Sequence, residues 1–144
     1  MANRIRPVLM EIISNNQSAF FPGRFISDNI LIAHEVLYFM NSNKRGKNTS
    51  MAIKLDMSKA YDRVERKFLE YVMHKLGFSS TWIDWTMSLV SSVSYSSLLN
   101  GAPKVFVRPT RGIRQWDPLS PYLFLLCAKG LLALLRRARE TKAL

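Results

Sequence analysis

The chain has 144 residues, 48% hydrophobic and 22% charged, a balance that excludes wholesale disorder and fits about one globular domain. Because Cys127 is the only cysteine, an intrachain disulfide and a metal site of paired cysteines are excluded. The formal net charge of +11, with nine basic and two acidic residues in 101–144, favours a polyanionic partner, most often a nucleic acid.

The first fifty residues predict two helices joined by a loop. Residues 4–13 are typical of a short helix, and the Asn-Asn and Pro-Gly pairs within 14–28 indicate a loop. Apolar residues recur every three or four positions over 29–40, which predicts an amphipathic helix. The apolar stretches at the N-terminus and over 119–128 are too short for a signal peptide or a membrane span. We therefore expect an intracellular protein with no membrane partner.

Residues 51–56 predict a short strand. Ile53 and Leu55 alternate with Ala and Lys, as they would in a half-buried strand, and the strand ends on Asp56. Ser58 could then cap a helical turn. Two amphipathic helices follow, over 65–76 and 80–92, and their tryptophans are expected in the core.

The C-terminal third predicts a hairpin and a long helix. Asn100-Gly101 is a strong two-residue hairpin signal between a strand over 94–99 and its return strand. Ser120 reads as the N-cap of a helix over 121–140, which is apolar nearly all round until Leu135 and should be buried. The order helix, helix, strand, helix, helix, hairpin, helix is that of an α+β fold.

Three features could carry chemistry, and each has a plain structural alternative. Asp56 at the end of an apolar strand could hold a divalent cation or cap the next turn, and Tyr61 could lie under a sugar ring or in the core. Arg111, Arg114 and Gln115 could contact phosphates and base or sugar edges, or form an ordinary exposed loop. Because neither histidine has a partner at ligand spacing, oxygen ligands would hold any metal, which suits Mg²⁺.

Two long strings resemble motifs of one enzyme family. Residues 52–65, AIKLDMSKAYDRVE, resemble motif A of the reverse transcriptases of non-LTR (LINE-type) retrotransposons, the plant type in particular. Residues 111–124, RGIRQWDPLSPYLF, resemble their motif B. Shorter strings within 3–30 are similar to the segment before motif A. The resemblance covers nearly the whole chain, and both long strings occur in the family's order and at its separation.

This resemblance implies a partial right-hand polymerase fold over 1–144, with a fingers-like helical segment over 1–50 and a palm segment over 51–144. The implied reaction adds deoxynucleotides from their triphosphates to a DNA primer on an RNA template, with two Mg²⁺ ions as cofactors. Arg111 and Arg114 would then lie near phosphates.

The resemblance also implies roles for single residues. Asp56 matches the first metal-binding, catalytic aspartate, and Met57 would offer its backbone carbonyl to the metal. Tyr61 matches the aromatic residue that discriminates against ribonucleotides. Gln115 matches the motif B glutamine near the incoming nucleotide and the template. Asp62 belongs to the same string, but no catalytic role follows for it.

The chain departs from the family pattern in several places. It contains no Asp-Asp pair, so the metal-binding carboxylates of motif C are missing and we expect the chain by itself to be inactive. Trp116 replaces a glycine that lets the backbone approach the nucleotide, and its indole is expected to fill that space. Arg66 replaces a tryptophan. Without a motif C hairpin beside it, the strand over 51–56 is expected to expose an unpaired apolar edge.

Two other hypotheses remain open at this point. The chain could be a non-catalytic, basic nucleic-acid-binding remnant, whose loop and C-terminal arginines bind phosphate backbones without sequence preference and release them as salt rises. Alternatively, the missing sheet partner and Trp116 could leave the sequence without a stable folded state.

Overall fold

The computed structural model describes residues 1–14, 17–20, 23, 25–43 and 51–142. These residues form five α-helices, one 3₁₀ turn and one two-stranded sheet, which confirms the predicted α+β class. Part of the predicted loop over 14–28 lies outside the described residues. The elements are α1 (Ala2–Ile12), α2 (Ile26–Ser42), the 3₁₀ turn Tyr61–Arg63, α3 (Arg66–Lys75), α4 (Ser80–Ser91), β1 (Tyr95–Leu99), β2 (Ala102–Val107) and α5 (Ser120–Glu140).

The hydrophobic core lies around the first half of α5. Helix α3 packs on α4 and on α5, and α1 packs on α5. Each of these four helices turns a stripe of apolar side chains, spaced three or four residues apart, toward this core. Full burial of one such side chain stabilises the fold by about 1.5–3 kcal/mol. The largest fully buried hydrophobic side chains are Ile5, Leu9, Leu69, Met73, Ile83, Leu123, Leu125 and Leu126.

Local signals set the ends of α3 and α4. Gly77, just after α3, has φ +81, the left-handed conformation that ends a helix at little strain for a glycine. Ser79 Oγ then accepts a hydrogen bond from the Trp82 backbone N–H at 3.4 Å and caps α4. Both helices fall within two residues of their predicted bounds. The expectation that the tryptophans are core residues is wrong for Trp85, which is 55% exposed on α4.

The predicted hairpin is confirmed. Asn100 and Gly101 have φ +52 and +79, as a two-residue turn with two left-handed positions requires. The strands pair antiparallel from Tyr95 opposite Val107 to Leu99 opposite Ala102. Every residue of both strands is exposed, so backbone hydrogen bonds rather than core packing hold the hairpin together.

The predicted strand over 51–56 is wrong. Residues 51–57 form no regular secondary structure, and Met51, Ile53 and Leu55 are exposed. A strand needs a neighbour to accept and donate its ladder hydrogen bonds. In the part of the chain that the structure describes, the sheet consists of β1 and β2 alone, and neither pairs with this segment. The alternating pattern is therefore present without the partner that would make it a strand.

The expectation that α5 is buried along most of its length is also wrong. Burial ends at Cys127, and Leu131, Leu132 and Leu134 are exposed. Helices α1 and α3 pack on α5, but they bury none of its residues beyond Cys127. The N-cap of α5 is Leu119, one residue before the predicted cap, because Ser120 is already helical. Asp117 Oδ1 accepts a hydrogen bond from the Leu119 N–H at 2.8 Å.

Helix α2 contains no buried residue. It begins at Ile26, three residues before its predicted start, and Asn29 Nδ2 donates to Ser18 Oγ at 2.6 Å. Its apolar side chains are exposed, among them Leu31 and Phe39. None of the helices in the described ranges combines the length and apolarity that crossing a membrane requires.

Gly130 determines how closely α3 and α5 approach. A Cβ at this position would lie 2.6 Å from Val72 Cγ2 and 3.0 Å from Phe68 Cζ. Val72 is buried and β-branched, so it has little freedom to rotate away. We expect Gly130→Ala to lower the free energy of unfolding by about 1–2 kcal/mol in denaturant titrations, because overpacking outweighs the gain in helix propensity. In a Val72→Ala background the loss should shrink, and an equal loss there would contradict this contact.

Candidate functional site

A turn and a loop from distant parts of the chain dock through their backbones. The docked turn comprises residues 61–65 and the basic loop comprises residues 109–117. The Gly112 N–H donates to the Val64 carbonyl at 2.8 Å, and the Ile113 N–H donates to the Tyr61 carbonyl at 3.0 Å. Val64 and Ile113 are both buried, so this junction is anchored in the core.

Gly112 makes this approach possible. Its φ is +86, and a Cβ there would lie 3.1 Å from the Asp62 carbonyl oxygen and 3.2 Å from the Asp62 Cα. Only a residue without a side chain meets both conditions without strain. Arg66, at the start of α3, donates from Nε to the Gly112 carbonyl at 3.3 Å and holds the loop from the other side. The sequence shows Arg66 only as a departure from a family pattern and carries no signal for this contact.

Tyr61 lies at the edge of the core. Its ring stacks on Phe124 of α5, with centroids 5.3 Å apart and planes 12° apart. Partial burial raises the pKa of its hydroxyl above the usual value, so the phenol is a neutral donor at physiological pH. The structure thus partly supports the core interpretation of this residue and fixes its ring.

Gln115 is brought next to Asp62. Gln115 Nε2 donates to Asp62 Oδ1 at 3.5 Å, between two exposed side chains 53 positions apart. The sequence offered no role for Asp62, and in the structure its exposed carboxylate accepts this long hydrogen bond from the amide of Gln115. No local pattern could reveal this pairing, because it depends on the docking of the turn on the loop.

An open groove lies beside this junction. The cationic groove has a volume of about 460 Å³, and Asp62 is the only carboxylate in its described lining. Arg111 Nη1 lies 3.8 Å from Glu65 Oε1, a solvent-exposed pair of little energetic weight, so its guanidinium is available to a second anion. The basic side chains that line the cationic groove are Lys59, Arg66, Arg111 and Arg114.

Trp116, at the end of the basic loop, is exposed to solvent. Its side chain is 99% exposed, and its φ of +66 retains the left-handed backbone that glycine favours. The side chain does not pack into the core, and the expectation that its indole fills the space of the nucleotide stays a prediction. The indole instead borders a second groove of about 660 Å³, the Trp116 groove, which is lined by Asp62, Tyr95, Arg114, Gln115, Trp116, Asp117 and Pro118.

Asp56 and Met57 are not brought into this junction. Both are exposed in the irregular segment 51–57, and neither lines the cationic groove or the Trp116 groove. Met57 lies instead beside an apolar groove that includes Phe68 and Phe124. Within the described ranges, no three His, Cys, Asp or Glu side chains come together as a metal ion would need.

Comparison with known proteins gives the family. Residues 1–143 match the family described as "Reverse transcriptase (RNA-dependent DNA polymerase)". The chain belongs to the reverse transcriptase family. This finding confirms the family resemblance of the two long strings.

The relatives of this reverse transcriptase sequence include retrotransposon proteins. It is 31% identical over 135 residues to the uncharacterized 149 kDa protein of transposon TX1 from Xenopus laevis, covering 93% of the chain and 10% of that protein. It is 33% identical over 119 residues to the retrovirus-related Pol polyprotein of the type-2 retrotransposable element R2DM from Drosophila melanogaster, covering 81% of the chain and 11% of that protein. The chain thus spans about a tenth of the length of these relatives. The sequence is that of a reverse transcriptase domain of the LINE-type, retrotransposon-derived kind.

A further relative shares a shorter region. An uncharacterized mitochondrial protein of Arabidopsis thaliana is 60% identical over 43 residues, which cover 30% of the chain and 35% of that protein. No solved structure matches the chain.

The reverse transcriptase family binds a nucleic acid template and nucleotides and uses divalent metal ions. The described residues fit the binding of nucleic acid and nucleotides better than the binding of a metal ion. Four basic side chains line the cationic groove. By contrast, Asp56 supplies one exposed carboxylate, and the part of the chain that is described does not complete a metal centre around it.

Proposed function

We propose that this chain supplies the nucleotide-binding junction and the first metal-binding aspartate of an RNA-directed DNA polymerase with a right-hand fold. In this proposal residues 1–50 belong to the fingers and residues 51–144 to the palm. The docking of the turn over 61–65 on the basic loop over 109–117 carries the proposal, because it unites the two motifs through buried backbone hydrogen bonds.

The junction suits a deoxynucleoside triphosphate beside a template. Tyr61 is held rigidly by Phe124 and would sense the 2′ position of the sugar. Gln115, oriented by Asp62, would contact the incoming nucleotide and the template base. Arg111 and Arg114 would neutralise phosphate charge from the cationic groove. Catalysis of phosphoryl transfer depends mainly on such positioning and charge neutralisation.

Mg²⁺ is the proposed metal, with the carboxylate of Asp56 and the backbone carbonyl of Met57 as ligands. Bound Mg²⁺ would neutralise the charge that develops on the phosphates. Two metal ions need several carboxylates around them, and the described residues group too few. For that reason we expect the chain by itself to bind template and nucleotide without extending a primer.

Paramagnetic NMR tests the role of Asp56. Mn²⁺ can replace Mg²⁺ and broadens the signals of nearby amides. With an RNA template, a DNA primer and a deoxynucleoside triphosphate present, we expect Mn²⁺ to broaden the Met57 amide, and Asp56→Asn to abolish that broadening. Asp84→Asn, which changes an exposed aspartate on α4, is the matched control and should leave the effect intact. Broadening that survives Asp56→Asn would contradict the proposal.

Primer extension is a second test of the role of Asp56. Wild type should give no product above background on an RNA template with Mg²⁺. A product that wild type forms and Asp56→Ala loses would contradict the expected inactivity, while supporting the role of Asp56. It would also mean that further carboxylates join Asp56, from elsewhere in the chain or from a second copy of it.

A second candidate function is nucleic-acid binding without polymerisation. The cationic groove favours it, because four basic side chains meet a single carboxylate there, whereas Asp56 stands outside. Both functions include RNA binding that weakens as salt rises, with a log–log slope near one unit per phosphate contacted. They differ at Asp56, since only the polymerase function makes Mn²⁺ broadening depend on that carboxylate.

A further inference from the structure

Trp116 is a fully exposed aromatic ring on a fixed backbone. Ile113 and Leu119, on either side of it in the sequence, are buried, and the Asp117 carboxylate is tied to the Leu119 N–H. Between these buried positions the backbone at Trp116 is left-handed, with φ +66, and the indole is 99% exposed. Strained backbone and an exposed large apolar surface occurring together are features that cluster at binding sites.

The polar groups around the indole suit the edges of a base. The Trp116 groove contains the amide of Gln115, the carboxylates of Asp62 and Asp117, and the guanidinium of Arg114 on the wall that it shares with the cationic groove. Amide and carboxylate oxygens accept hydrogen bonds from base amino groups, and two carboxylates against the one guanidinium disfavour a phosphate beside the indole. These charged and polar neighbours also disfavour insertion of the indole into a lipid surface.

The cationic groove adjoins the Trp116 groove. Asp62, Tyr95 and Arg114 line both of them. Basic side chains lie on one side of this shared wall and the indole lies on the other. This arrangement suits a nucleic acid strand, because cations bind its phosphates while an aromatic ring stacks on its bases.

We infer that Trp116 is a stacking platform for a base of single-stranded RNA whose phosphates follow the cationic groove. A base inside a duplex has both faces covered by its neighbours, so stacking on Trp116 needs an unpaired strand. The inference goes beyond the proposed polymerase role, since it requires neither a metal ion nor a nucleotide. It also gives Trp116, which replaces the glycine of the family pattern, a binding function specific to this chain.

The affinity test uses fluorescence anisotropy of a labelled, unstructured single-stranded RNA without divalent metal. Trp116→Ala is expected to weaken binding about tenfold, within the range that loss of one base–aromatic stack produces, and Trp116→Phe should recover most of it. Trp85→Ala, which removes the half-exposed tryptophan of α4, is the matched control and should leave the affinity unchanged. Equal affinities for wild type and Trp116→Ala would overturn the inference while leaving RNA binding in the cationic groove intact.

The contact test follows the fluorescence of Trp116 alone. Trp82→Phe together with Trp85→Phe leaves Trp116 as the only indole, and the first change removes a buried N–H that has no partner among the described residues. Single-stranded RNA should quench this emission, and a duplex of the same sequence should not. RNA that binds without quenching would overturn the stacking contact, and absence of RNA binding would overturn the binding site altogether. A response to anionic lipid vesicles but not to RNA would overturn it in favour of a membrane surface.

Discussion

Gly112→Ala is expected to lower the free energy of unfolding by about 2–5 kcal/mol. The new methyl group would have to adopt φ +86, which costs roughly 1–2 kcal/mol for a residue with a side chain. It would also press on the Asp62 backbone, with contacts of 3.1–3.3 Å. That backbone has little room to move, because the flanking Tyr61 and Val64 carbonyls accept the docking hydrogen bonds, so an overpacking cost of about 1–3 kcal/mol adds to the strain.

Gly101→Ala is the matched control for this change. Gly101 has φ +79, nearly the same conformation, but a Cβ there would meet nothing within 4 Å. We expect it to lose only the conformational part, about 1–2 kcal/mol. Denaturant titrations with similar slopes for both variants would measure the difference. Equal losses would show that the turn and the loop do not dock closely in solution.

The thiol of Cys127 is expected to react with a disulfide reagent about three orders of magnitude more slowly in the folded chain than in the unfolded one. Burial raises its pKa to about 12, and the side chain is 8% exposed on α5. Only the thiolate attacks a disulfide, and near pH 8 its fraction falls from roughly a quarter at an ordinary pKa to about one in ten thousand.

The same reaction decides whether the sequence has a stable folded state. Addition of a denaturant should restore the full rate, since it exposes the thiol and returns the pKa to its ordinary value. A cooperative rise in rate with denaturant would support the packed core around α1, α3 and α5. Fast reaction in native buffer would contradict it, and would favour the hypothesis that the exposed segment 51–57 leaves the chain without stable structure.

Local sequence signals predicted most of the regular structure. The Asn100-Gly101 turn depends on the conformational preferences of two neighbouring residues, and it is found as expected. The amphipathic spacing that predicts α3 and α4 is likewise a property of each helix by itself. The family, too, could be identified from two contiguous strings, and the match over 1–143 confirms it.

The candidate site was less accessible to prediction. Asp56, Tyr61, Arg111, Arg114 and Gln115 were all found as candidates from the sequence, and their proposed roles await the experiments above. Their grouping was not predictable, because the structure brings four of them to one junction and leaves Asp56 outside it. The positioning contacts of Arg66 and Asp62 join residues 46 and 53 positions apart, and no local pattern reports such a contact.

The sequence by itself determined the helices, the hairpin turn, the basic character and the family, because each of these depends on residues that are neighbours along the chain. Only the tertiary structure decided which apolar pattern is buried. Residues 51–56 carry a strand pattern without a strand partner, and the second half of α5 carries a core pattern without a covering element. The tertiary structure likewise decided that Trp116 is exposed, while Ile113 and Leu119, three residues to either side, are buried. Burial and pairing are properties of two surfaces, and one segment of sequence describes only one of them.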